Sequence, residues 1–78
     1  MSAREVLEEL DRLAISIFYR PVGRGPGAGI SVGVGRERVY PELLLALEQR
    51  TPELLRIARF EPSRHTPGTY LRRPGGAA

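Results

Sequence analysis

The sequence predicts a small α+β domain: an αββαα two-layer unit in which a β-hairpin packs on three short helices. Three observations predict it. Residues 3–13 place apolar side chains at helical spacing. Residues 14–22 and 30–34 switch to the period-two alternation of strands with one buried face. A helix-starting phrase then occurs twice, as Pro41-Glu42-Leu43-Leu44 and as Thr51-Pro52-Glu53-Leu54-Leu55. At 78 residues the chain holds one small domain.

The first helix opens on a capping-box pattern, in which the Ser2 hydroxyl serves the amide of Glu5 and Glu5 reaches back. Val6, Leu7, Leu10, Leu13 and Ala14 form its buried stripe, and Arg4, Glu5, Glu8, Glu9, Asp11 and Arg12 its outer face. Glu8 and Arg12 stand in the favourable i,i+4 order. In the next segment Ile15, Ile17 and Tyr19 alternate with Ser16, Phe18 and Arg20, and Pro21 ends the strand. Phe18 interrupts the otherwise polar face. Gly23 to Gly29 form a glycine-rich hairpin link. Ile30, Val32 and Val34 alternate with Ser31, Gly33 and Gly35, which gives a second strand almost bare on one face.

Each repeated phrase starts a helix for physical reasons. Proline at the first helical position gives up no hydrogen bond the helix needs. Glu42 and Glu53 sit where the helix dipole favours negative charge. Thr51 is read as a hydroxyl cap. Leu43, Leu44 and Leu47 are expected to face the core from the second helix, and Leu54, Leu55, Ile57 and Ala58 from the third. Residues 61–78, with three prolines and three glycines, read as a Pro/Gly/Arg-rich tail or linker beyond a folded unit at 1–60.

Composition bounds the function. There is no cysteine, hence no disulfide and no thiolate metal site. No apolar run approaches the ~20 residues of a membrane span, and Met1 to Glu5 lack a signal-peptide pattern. The expectation is a soluble cytoplasmic protein with no membrane role. His65 is the sole histidine and lies in the tail, so no metal site, no cofactor and no catalytic base is expected. The chain reads as no enzyme. The glycine link lacks the strand-before, helix-after context and the Gly-Lys-Ser/Thr of a phosphate cradle.

All twelve basic residues are arginine, as a GC-rich genome would give; arginine also forks onto carboxylates and phosphates better than lysine. Residues 50–78 hold six arginines against Glu53 and Glu61. Arg56, Arg59, Arg72 and Arg73 are therefore candidate contacts for a nucleic-acid backbone. The alternatives for Gly33 and Gly35 are a bare strand open to a partner strand, or relief of crowding. Arg36 and Arg38, beside that strand, are candidate grips for an acidic peptide. A chain this short buries only ~60% of its unfolded surface, so a homodimer is expected, with Phe18, Tyr40 and Leu45 as interface candidates.

Together, Val6-Leu7-Glu8-Glu9-Leu10, Ile15 to Phe18, Ile30 to Val34, and Tyr40 to Leu47 through Thr51-Pro52-Glu53-Leu54-Leu55 carry a family pattern. Over residues 3–59 it resembles the tubulysin-type β-hairpin docking domains at the N-termini of bacterial nonribosomal peptide and hybrid polyketide synthetase subunits. The resemblance implies an αββαα fold, frequent homodimers and capture of a short acidic C-terminal motif along the hairpin. By that analogy the peptide lies beside Ile30, Val32 and Val34, with Arg36 and Arg38 as anion grips. The glycine link is longer than that family usually shows. The leading reading is a non-catalytic docking or adaptor module. The alternatives are a small basic nucleic-acid-binding accessory protein and a mobile-element regulator or inhibitor of a host enzyme.

Overall fold

The computed structural model describes residues 1–21 and 29–75. Its elements are α1 (Ala3–Arg12), β1 (Ile17–Tyr19), β2 (Ile30–Val32), a 3-10 turn (Arg36–Arg38), α2 (Pro41–Gln49), α3 (Thr51–Ile57), β3 (Glu61–Pro62) and β4 (Tyr70–Arg72). The α+β class stands, with two strands more than the hairpin. The four strands form an antiparallel sheet in the order β2-β1-β4-β3. Most of the predicted glycine link lies outside the described residues.

Helix α1 begins as its sequence dictates. The Glu5 amide donates to Ser2 Oγ at 3.2 Å, and the Ser2 amide donates to Glu5 Oε1 at 2.7 Å. These bonds, the Ser2 amide first, hold the Glu5 carboxyl below its ordinary pKa. The helix ends in a Schellman arrangement: Ile15 N donates to Leu10 O (2.9 Å) and Ala14 N to Asp11 O (3.2 Å). Ile15 and Leu10 are both fully buried, which supplies the apolar contact that accompanies this motif. Ala14 occupies the left-handed position at φ 55°, where glycine is the usual residue.

The central strand is β1, paired on both edges. Ile17 stands opposite Val32 and Arg72, Phe18 opposite Ser31 and Leu71, and Tyr19 opposite Ile30 and Tyr70. One sheet face thus carries Ile17, Val32 and Arg72 with Tyr19, Ile30 and Tyr70. The other carries Phe18, Ser31 and Leu71. The first face meets the helices: Val6 and Leu10 of α1, Leu43, Ala46 and Leu47 of α2, and Leu54 of α3 cluster with Ile15, Ile17 and Val32. Burying such a side chain contributes about 1.5–3 kcal/mol. Tyr19 also packs on Phe60 and Tyr70, with ring centroids 6.1 and 6.5 Å apart.

Several expectations are corrected. Residues 61–62 and 70–72 are strands rather than linker, and β4 takes the edge of β1 left free by the hairpin. Ser63 Oγ accepts from the amides of His65 and Thr66, which shapes the loop between them. Leu44 and Ile57 are exposed, at 46% and 51%, while Ala46 takes the core position on α2. Thr51 does not cap α3; it lies inside the helix and its Oγ1 donates to Leu47 O at 2.8 Å. Arg12 pairs with Glu9 at 2.7 Å rather than with Glu8, because Glu9 also faces Tyr40.

Candidate functional site at the open edge of β2

Strand parity decides which backbone groups are free. Gly33 N donates to Ser16 O at 2.8 Å, so Ser16 and Phe18 bond across to β2, while Ile17–Val32 and Tyr19–Ile30 are the non-bonded pairs. Ile30 and Val32 therefore direct their N–H and C=O groups away from β1. Among the described residues no strand pairs with that edge. The opposite edge of the sheet, β3, is two residues long and carries Pro62, which has no N–H.

Beyond Val32 the strand bulges. Gly33 and Val34 both face Ser16: Ser16 N donates to Val34 O (2.9 Å), and Val34 N donates to Ser16 Oγ (2.7 Å). A Cβ on Gly33 would stand 2.7 Å from Ser16 Oγ. Gly35 has φ +90°, and a Cβ there would stand 2.8 Å from Ala14 O. Crowding accounts for both glycines. The bulge leaves Val34 74% exposed at the end of the open edge.

The structure separates the two candidate arginines. Arg36 Nη2 donates to Val32 O at 3.1 Å, so its guanidinium sits over the open edge and covers one of the four outward backbone groups. Arg38 turns the other way. Its Nε donates to Leu13 O, its Nη2 to Ala14 O at 3.0 Å, and its Nη1 pairs with Glu37 at 2.8 Å. Arg38 thus caps the C-terminus of α1, where unpaired carbonyls carry the negative end of the dipole. Ile30 and Val32 supply the edge and Arg36 its charge; Val34 flanks them; Arg38 is spent on the fold.

The dimer candidates do not converge. Phe18 is half-buried on the sheet face away from the helices, its ring 3.7 Å from where a Cβ on Gly33 would stand. Leu45 is 53% exposed on α2. Tyr40 is half-buried and its hydroxyl donates to Glu9 Oε2 at 2.6 Å, which ties the start of α2 to α1. Bonds from Arg12 and then from Tyr40 lower the Glu9 pKa to about 2, and the same carboxylate raises that of Tyr40.

The nucleic-acid candidates are also divided. Helix α3 ends at Ile57 and Ala58 is extended, so Arg59 lies beyond the helix that carries Arg56. Arg72 is 11% exposed and pairs with Asp11 at 3.0 Å. Arg73 is exposed.

Sequence reasoning missed Asp11. Its carboxylate accepts from Arg72 Nη2 at 3.2 Å and from the Gly75 amide at 2.8 Å. Burial pushes its pKa up, but these bonds and the Arg72 charge outweigh that and hold it below the ordinary value. No local signal marks a pair separated by 61 positions. Among the described residues no group of three or more His, Cys, Asp or Glu is placed to hold a metal, and no helix is long and apolar enough to cross a membrane. No family model matches the chain, and neither a curated protein nor a solved structure matches it significantly.

Proposed function

We propose that the protein is a non-catalytic docking module that captures an extended acidic peptide by adding it as a strand to the open edge of β2. The observation that carries this reading is the edge itself: outward Ile30 and Val32 backbone groups with the Arg36 guanidinium placed over them. Main-chain bonds along such an edge supply affinity, and neighbouring side chains supply selectivity. Arg36 uses one N–H on Val32 O and keeps others for a carboxylate. The resemblance to docking domains that take acidic C-terminal motifs points to the same edge.

The test is a titration of the labelled protein with an acidic C-terminal peptide, read by amide shifts and calorimetry. Binding should move the Ile30 and Val32 amides before those of α3. Arg36→Glu should weaken it about tenfold or more, the equivalent of ~1.4 kcal/mol from one charge-assisted contact. Shifts confined to α3 and the β3–β4 loop, or an unchanged affinity in the Arg36 variant, would overturn the assignment.

A further inference from the structure

The C-terminal hairpin formed by β3 and β4, residues 61–75, joins the rest of the fold in an unusual way. The fully buried apolar core of the described residues is drawn entirely from Ala3 to Leu54. Tyr70 and Leu71 are only half-buried, and the Arg72 side chain, 11% exposed, is buried as an ion pair rather than as apolar surface. Three kinds of contact hold this arm: the ladder to β1, the ring contact of Tyr70 with Tyr19, and the clasp of Arg72 and Gly75 on Asp11. A marginal Arg20–Thr69 bond of 3.4 Å adds to them. Even the clasp is imperfect, since Arg72 Nη1 is buried beside Asp11 without an aligned acceptor. Segments with little buried apolar contact open at lower free energy than the core. No residue of the arm belongs to the core cluster, and without the arm the N–H and C=O groups of Ile17 and Tyr19 on β1 would face outward beside the Asp11 carboxylate.

We infer that the β1 edge and Asp11 form a strand-binding groove distinct from the β2 edge, and that its occupant is the Tyr70–Arg72 strand, exchangeable between two copies of this chain. The groove is complementary to that strand in register and charge: Tyr70 opposite Tyr19, Arg72 opposite Ile17, and the guanidinium on Asp11. A second copy carries the same strand. Exchange of an identical terminal element keeps every contact made within one chain and is a low-cost route to a dimer. The connection Ala58–Phe60, in which Ala58 leaves α3 in extended conformation, is the hinge.

The experiment uses two full-length variants, Asp11→Arg and Arg72→Asp. Each alone sets like charges against each other, whether its arm lies on its own body or on that of an identical copy. Mixed, each arm meets a body of opposite charge only on the other chain. Native mass spectrometry and light-scattering chromatography at roughly millimolar protein, the order of a short tether's effective concentration, should show monomers separately and a one-to-one heterodimer on mixing. Two monomers after mixing would overturn the inference. So would unfolding of either variant alone, because the arm must leave without dissolving the body. Hydrogen exchange on the unaltered chain gives an independent readout. The Tyr70, Arg72, Ile17 and Tyr19 amides should exchange at least tenfold faster than those of Phe18 and Ser31; equal protection would make the arm an integral part of the core and refute its exchange.

Discussion

Replacing Arg38 and Arg36 in turn tests the division proposed here between a side chain that holds the fold and one that meets a partner. Arg38→Ala removes the donors to Leu13 O and Ala14 O and the pairing with Glu37. A hydrogen bond to a charged group contributes ~1.5–3 kcal/mol when well buried. The Arg38 side chain is 42% exposed and Glu37 70%, so the ion pair adds little and water replaces part of what is lost. A loss of about 1–2 kcal/mol remains, for the two carbonyls at the end of α1. With a urea m-value of ~1 kcal/mol/M for a small domain, the midpoint should fall by about 1–2 M. Acidic-peptide affinity, measured well below that midpoint, should be unchanged. Arg36→Ala should do the reverse, since its single carbonyl bond lies at the solvent-facing edge: stability within ~0.5 kcal/mol of the parent and affinity reduced. Urea melts and peptide anisotropy on the same samples decide it. An Arg38→Ala protein that melts like the parent but loses the peptide would refute the division of labour.

Three further outcomes follow from the geometry. Ala14→Gly should stabilise the protein by about 1 kcal/mol, because the left-handed position costs alanine ~1–2 kcal/mol that glycine avoids; Gly35→Ala should cost about 2 kcal/mol or more, its Cβ meeting backbone atoms at a positive φ; thermal melts of the pair check both signs. Leu54→Ala, at a fully buried site between α3 and α1, should cost about 2–5 kcal/mol, comparable with the whole stability of a domain this small, and should show as lost near-ultraviolet dichroism at room temperature. Glu9 and Asp11 have depressed pKa values, so the stability they contribute is complete above the unfolded carboxylate range near ~4 and is lost as pH falls toward the folded value, about 2 for Glu9. Acid titration of Glu9→Gln should accordingly be flatter than that of the parent between about pH 4.5 and 2, and equal slopes would remove the Tyr40–Glu9–Arg12 cluster from the acid transition.

How much of this was legible in the sequence depends on the range of the interaction. The Ser2–Glu5 capping box, the Ile17–Tyr19 strand and the Pro41 helix start all act within a few residues and appear where their patterns place them, while α3 begins one residue before Pro52, at Thr51. The arm does not announce itself. Its strand buries Tyr70 and Arg72 on one face and turns Leu71 to the other, so no apolar alternation appears, and Pro62, Pro67 and Pro74 suggest a tail. It is held by contacts distant in sequence: the ladder to β1, the Tyr19 ring and the Asp11 carboxylate on the first helix. The open edge was legible in outline: Ile30 and Val32 are marked by alternation, and Arg36 by its charge beside them. The bonds from Arg38 to Leu13 O and Ala14 O were not legible, because side-chain capping of a helix 24 residues away leaves no mark in local sequence.

Arginine usage takes on a second meaning in this light. A GC-rich genome would account for the absence of lysine, but not for where a guanidinium does what an ammonium cannot. Arg38 reaches two successive carbonyls and a carboxylate through three different nitrogens, a spread that requires a rigid fork. Arg72 sets two nitrogens against the two oxygens of Asp11. Arg50 donates to Met1 O and to Glu53, tying the start of α3 to the N-terminus. So part of the basic excess of residues 50–78 is consumed in holding the chain's two ends to its body. The exposed remainder is spread over the last turn of α3, its exit, the β3–β4 loop and the residue after β4, at Arg56, Arg59, Arg64 and Arg73. A phosphate backbone is tracked by cations presented in a row. This distribution forms no such row, whereas Arg36 stands over a strand edge with which no strand pairs among the described residues, the position the proposed docking reading requires of a cation.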